Sequence, residues 1–375
     1  MKSIKLLTFI LFLLIFTFNH VSALEFIISG QVYETYDDNI FSSSEDPESD
    51  WITDIILGLG IKSERREFEM LISGNLYQQY YVNNSDQNGL YEDLSASLEK
   101  SFSQTVTISL EDTFEHYPES ETFGALFGKS EEQNSEYISN YFTSELSINM
   151  TRQFAVGFSY NNTVVKNEED IMPDSVLHEP GGYFAYSFNS ANILKAGYIY
   201  GRMKYDSGNK IISHRGYGDY QRYFTRQFYS VLSGGYDYIR EDANDVVSKS
   251  YMGSLSFIDD VDKNNQLDLT FLKERSVSSV DEDIFDSWEI SLALKRDISE
   301  RASADLSLFY GEGTYKESDI TNKLAGASAS LSFAVTEFIS FFAEYSYTWS
   351  STEVPDSDES SYDRNQVSAG ISGEY

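Results

Sequence analysis

Asn365-Gln366-Val367-Ser368-Ala369-Gly370-Ile371-Ser372-Gly373-Glu374-Tyr375 is the stretch whose reading decides the fold. Val367, Ala369, Ile371 and Tyr375 fall on one face and Gln366, Ser368, Ser372 and Glu374 on the other, the period of 2 that marks a strand with one oily and one wet side. Gly373 stands where a larger apolar side chain is expected. A strand ending on an aromatic residue suits the closing stave of a membrane β-barrel, which pairs with the first strand and leaves no open edge in lipid. Val367, Ala369, Ile371 and Tyr375 are then an assembly signal for the barrel assembly machinery. A soluble protein could also end on such a strand, so the rest of the chain must decide.

Working outward, the alternation recurs. Phe26, Ile28, Gly30 and Val32 oppose Glu25, Ser29, Gln31 and Tyr33; Trp51, Ile55, Leu57, Leu59 and Ile61 share one face; Phe68, Met70, Ile72, Gly74 and Leu76 oppose Glu67, Glu69, Ser73, Asn75 and Gln79. Further alternating segments include 105–117, 181–188 and 285–296, and 214–224 is read as a strand although Tyr, Gly and charges fall on both its faces, for a total of about eighteen, with 16–18 compatible, each near the length of a tilted membrane strand. Short connections such as Thr151-Arg152-Gln153 and Thr225-Arg226-Gln227 alternate with long ones such as Pro118 to Glu136, Lys166 to Pro180 and Ser350 to Asp363. Porin-like barrels place short turns at the periplasmic rim and long loops outside. All five prolines, Pro47, Pro118, Pro173, Pro180 and Pro355, are expected in the long loops or at their edges, because proline removes a ladder donor. The expected fold is an all-β, antiparallel, up-and-down transmembrane barrel occupying 24–375 as a single domain.

Composition bounds what that barrel can be. Lys2 and Lys5, the apolar run Leu6 to Phe18 and Val21-Ser22-Ala23 read as a secretory signal peptide over 1–23. No cysteine occurs, so neither disulfides nor a thiolate metal site holds the fold. The formal charge is −33, which sets nucleic acid aside as a partner. Aromatic residues make up 15% of the chain, with 28 Tyr and 26 Phe, matching strand propensity and membrane-interface girdles.

The first strand runs into Tyr36-Asp37-Asp38-Asn39-Ile40-Phe41. With a signal peptide before it and hairpins leading to a terminal aromatic after it, this segment resembles the beta-barrel porin 2 family of bacterial outer-membrane proteins. The resemblance implies an outer-membrane barrel, and some relatives belong to exopolysaccharide export systems. By their local chemistry alone, Asp37, Asp38 and Asn39 read as an Asx-rich strand exit.

If the apolar faces meet lipid, the opposite faces line a lumen. Those faces carry Glu67, Glu69, Glu111, Glu115, Asp237, Asp268, Glu289, Asp305 and Glu344, against few bases such as Lys195 and Lys295. Carboxylates in excess concentrate cations and repel anions, so an open pore is expected to prefer cations and to pass small cationic or neutral solutes. The alternatives are carboxylates that only solvate the wall of a closed barrel, or a non-conducting structural barrel whose acidic loops bind a partner or divalent ions. Inward aromatics, Tyr33, Tyr77, Tyr81 and Phe309, could form a track for sugar rings of a polysaccharide or serve as interface anchors. No catalytic, metal or cofactor site is expected. Asp260-Val261-Asp262-Lys263-Asn264 opens like a calcium loop but lacks the turn glycine and the closing acid, and no nucleophile elbow accompanies His116, His178 or His214. One strand fits badly. Asp112 and His116 share the face of Val106, Ile108, Leu110 and Phe114, which requires an early exit from the membrane, a face-reversing bulge or a neighbouring subunit.

Overall fold

A computed structural model describes residues 24–118, 136–167, 173–242, 247–262, 265–277, 284–355, 357 and 359–375. The expected signal peptide over 1–23 lies outside them. The strands are Glu25–Asp37 (β1), Asp50–Arg65 (β2), Phe68–Tyr81 (β3), Gly89–Ser101 (β4), Val106–Pro118 (β5), Glu136–Asn149 (β6), Phe154–Asn167 (β7), Ser175–Asn189 (β8) and Asn192–Tyr205 (β9). They continue as Lys210–Tyr223 (β10), Phe228–Glu241 (β11), Val247–Asp262 (β12), Asn265–Val277 (β13), Ile284–Ser299 (β14), Ala302–Tyr315 (β15), Thr321–Ala334 (β16), Ile339–Glu353 (β17) and Ser360–Glu374 (β18). Each pairs antiparallel with its chain neighbours, and β1 pairs with both β2 and β18, so one 18-stranded sheet closes on itself. Closure satisfies the backbone of both end strands, which an open sheet in lipid could not do.

The distribution of oily side chains is inverted relative to a water-soluble protein. Leu57 and Leu59 are 61% and 68% exposed, and Phe26, Phe184, Leu331 and Ile371 are exposed with them, while the alternate residues Thr35, Asp37 and Asp54 are buried. Two stacked sheets hiding their apolar faces are thereby excluded, because the greasy face of nearly every strand is the convex outer one. The expected partition of Val367, Ala369, Ile371 and Tyr375 from their neighbours is seen: β18 turns these residues outward beside Val32, Glu34 and Tyr36 of β1.

Two features differ from the sequence reading. β8 begins at Ser175 rather than near 181, so Pro180 lies inside a strand, opposite Tyr160 of β7. The β8–β9 ladder omits Glu179 and Pro180, resuming at Gly181, so the proline's missing donor falls on the side where pairing lapses. In β5 the register is unbroken on both sides, so no bulge reverses Asp112, which faces outward halfway along the strand. Its carboxylate instead accepts from Asn140 Nδ2 at 2.8 Å on the neighbouring strand, and His116 Nδ1 lies 3.4 Å from Glu92 Oε2. Cross-strand partners supply the polarity that hydrocarbon lacks.

Candidate functional site: the lumen wall and an inturned hairpin

The lumen wall is most acidic along β2 to β6. Glu64 lies opposite Glu69, Glu69 opposite Glu99, and Glu99 opposite Ser109, while Glu111 sits between Ser97 and Thr143 and Glu145 between Ser109 and Ser159. These side chains line one recess together with Lys62, whose Nζ is 2.7 Å from Glu64 Oε1. One amine against five carboxylates leaves a strongly negative wall. Further along, Asp93 accepts from Tyr77 Oη at 2.6 Å and from Asn75 Nδ2 at 3.0 Å, and it lies opposite Glu115, which accepts from Ser139 Oγ at 3.3 Å.

The residues proposed from sequence therefore separate. Glu69, Glu111 and Glu115 sit together on this wall. Glu67 falls in the two-residue turn before β3, where its carbonyl oxygen accepts from Ser101 N, so its place is the short-turn rim. Asp268 accepts from Gln266 Nε2, Asp305 lies opposite Lys295 and accepts from Ser330 Oγ, and Glu344 lies between Ser330 and Ser368. Glu289 faces Gly311 and Leu272. Glu64, Glu99 and Glu145 were not singled out from sequence, although each occupies an alternate polar position that period 2 would have selected. Of the inward aromatics, Tyr77 spends its hydroxyl on Asp93, Tyr33 meets Phe342 edge-on at 5.7 Å, and Phe309 crowds Gly326. Tyr81 lies opposite Ile52, which faces the lumen beside it. These rings come from β1, β3 and β15 and do not form a continuous row.

A second lumen feature lies at the long-loop rim. Past the Gly253–Lys273 pair, β12 continues beside β11 to Val247 while β13 continues beside β14 alone. There the start of β14 leaves the wall. Ile284 is buried in a cluster with Met203, Tyr205, Ile211 and Ile239, inner-face residues of β9 to β11, from which β12 and β13 separate it in the sheet. The β13–β14 end is thus folded across the inside of the mouth. A polar ladder fixes it there. Arg215 Nε is 2.9 Å from Asp237 Oδ1 and its Nη2 donates to the Arg275 carbonyl at 3.3 Å. Arg275 in turn donates to Ser248 Oγ and to Asp286 Oδ2, both at 2.8 Å, and Lys316 Nζ is 3.5 Å from the same carboxylate oxygen. Asp237, expected as a lumen carboxylate, is therefore neutralised and 1% exposed.

The Tyr36–Asn39 segment is a clasp across the closing seam. Tyr36 packs outward against Trp51 in a tilted arrangement with ring centroids 5.2 Å apart. Asp37, fully buried, accepts from Arg364 Nε at 2.8 Å, from Gln366 Nε2 at 3.0 Å and from Asn39 N at 2.9 Å. Asp38 accepts from Asn365 N at 2.6 Å and Nδ2 at 2.8 Å, and Asn39 Nδ2 donates to the carbonyls of Ser43 and Asp363. The Asx-type exit is present in the Asp37–Asn39 bond, but most of the segment's bonds reach residues more than 320 positions away.

No protein-family model matches the chain, and no curated protein matches it. Its fold is similar to that of solved outer-membrane barrels. OccAB4 of Acinetobacter baumannii superposes with a TM-score of 0.51 at 12% identity, over 95% of this chain and 100% of that one. OccK2 (OpdF) of Pseudomonas aeruginosa gives 0.50 at 10% identity over 94% and 98%, and the outer membrane protein opdK of the same organism 0.50 at 11% over 94% and 99%. At such identities the likeness is one of fold, and the class it defines is the closed 18-stranded antiparallel barrel of bacterial outer-membrane proteins.

Proposed function

We propose that the protein is an outer-membrane channel that passes small cationic or neutral solutes passively. The carrying observation is the run Glu64, Glu69, Glu99, Glu111 and Glu145 on the water-facing side of a closed wall, in a recess where Lys62 is the one base among the described lining residues. Fixed carboxylates in a confined aqueous passage raise the local cation concentration, and a barrel of this strand number is wide enough to hold water. The inturned β13–β14 end narrows the mouth on the opposite side, steering solutes toward the acidic wall. Selectivity then follows from width and lining, without covalent chemistry. In this reading the chain is exported by its 1–23 leader, inserted by the barrel assembly machinery through its last strand, and surrounded by outer-membrane lipid. Kinship with the beta-barrel porin 2 family belongs to the same reading and is supported by the Tyr36–Phe41 segment. A link to exopolysaccharide export gains no support from the scattered lumen aromatics.

Reversal potential in planar bilayers under a KCl gradient tests the channel. The expected sign is that of cation preference, and Glu69→Gln, Glu111→Gln and Glu145→Gln combined should move it toward zero. Anion preference would overturn the lining assignment. A folded but electrically silent barrel would favour the structural alternative, with acidic loops binding a partner or divalent ions.

A further inference from the structure

Although the chain carries 60 acidic against 27 basic side chains, one arc of its outer surface has the opposite sign. Toward the long-loop rim, the outward positions of β9 to β12 hold Arg202, Lys204, Lys210, Arg240 and Lys249, all exposed. Among the described residues no carboxylate occupies an outward position within that half of strands β8 to β12; the nearest exposed ones are Asp206, just past β9, and Asp242. Asp242, just past β11, lies 4.0 Å from Arg240, and among the described residues no ion pair joins Arg202, Lys204, Lys210 or Lys249 to an acid. Lys204 and Lys210 stand directly opposite each other in the ladder. Like charges at a cross-strand pair repel, so this position is stabilised by an anion placed against it.

The depth of the arc identifies the anion. Tyr200 precedes Arg202 on the same face, Tyr238 precedes Arg240, and Tyr251, 77% exposed, follows Lys249 toward the short-turn rim. Such tyrosines form the girdle at the boundary between hydrocarbon and headgroups. One same-face step along a strand tilted by about 40° rises roughly 5 Å, which sets the bases just above the girdle, at headgroup depth. We infer that this arc is a docking surface for phosphorylated headgroups of outer-leaflet lipid. The inference rests on the outer-membrane placement proposed above and is independent of conduction.

Native mass spectrometry of the full-length, detergent-purified barrel tests it. The probes are a bis-phosphorylated acylated disaccharide lipid, its dephosphorylated analogue, and inorganic phosphate as competitor. The phosphorylated lipid should be retained at least about tenfold more tightly than the analogue, and Arg202→Gln, Lys204→Gln and Lys210→Gln combined should abolish most of that difference. Lys204→Arg with Lys210→Arg should preserve it, and heat-dependent gel mobility reports that each variant is folded. Equal retention of the two lipids, unchanged retention by the folded triple variant, or displacement by equimolar inorganic phosphate would each overturn the assignment. A barrel that selects the phosphorylated lipid yet fails to conduct would refute the channel and leave this surface standing.

Discussion

The seam between β1 and β18 and the seam between β12 and β13 are built from the same antiparallel ladder and end in opposite ways. The first keeps its register from Ser29–Glu374 to Asp37–Gln366 and is finished at the long-loop rim by Asp37, Asp38 and Asn39 gripping residues 363 to 366. The second carries an irregularity between Asp259 and Asp262, stops at Gly253–Lys273, and releases β13 to follow β14 inward. A ladder alone does not decide whether two strands stay together to the rim. The side chains at the rim decide it, by placing their best partners across the seam or somewhere else. At the closing seam Asp37 finds Arg364 on the adjacent strand; at the open one the Arg275 guanidinium donates to Asp286 and its backbone carbonyl accepts from Arg215, while Ile284 buries itself against a wall several strands away.

The largest test of this contrast is Asp37→Ala. It leaves Arg364, 13% exposed, without its carboxylate, and should cost about 3–5 kcal/mol in denaturant unfolding from detergent. A loss below about 0.5 kcal/mol would show that the seam closes without its clasp. Ile284→Ala removes the apolar anchor of the inturned end. We expect about 2 kcal/mol or more of lost stability, with larger single-channel conductance as the end leaves the mouth; unchanged conductance would place the solute path elsewhere. Gly370→Ala probes the closing seam from inside the lumen. A methyl group there would lie 2.5 Å from the Val32 carbonyl oxygen and 2.3 Å from Tyr33 Cβ, so backbone must shift, at about 1–3 kcal/mol. Gly234→Ala, on β11 near the open seam, meets nothing within 4 Å and should change stability by less than about 0.5 kcal/mol. Equal effects of the two glycine substitutions would remove the distinction between the seams.

Strand identity was legible because alternation is local. Ile28, Val32, Leu57 and Leu59 announce an outer face from their own neighbours, and eighteen such segments were readable without knowing what lay beside them. Pro180 misled because the sequence does not say which side of a strand bonds at a given residue; a proline is tolerated where the facing ladder lapses. Asp112 looked misplaced for a similar reason. Its partner Asn140 is 28 residues away and becomes a neighbour only through pairing of β5 with β6.

The sequence by itself determined the all-β class, a strand number of about eighteen and which side of nearly every strand meets lipid, since each depends on a two-residue period carried within the strand. Only the tertiary structure decided which inward carboxylates are brought together on one wall, that Asp237 is paired with Arg215, that the Tyr36–Asn39 segment clasps the last strand, and that the β13–β14 end turns inward. Those outcomes depend on groups brought together by closing the sheet, and the packing of Ile284 against β9 to β11 is not encoded in the spacing of residues along the chain.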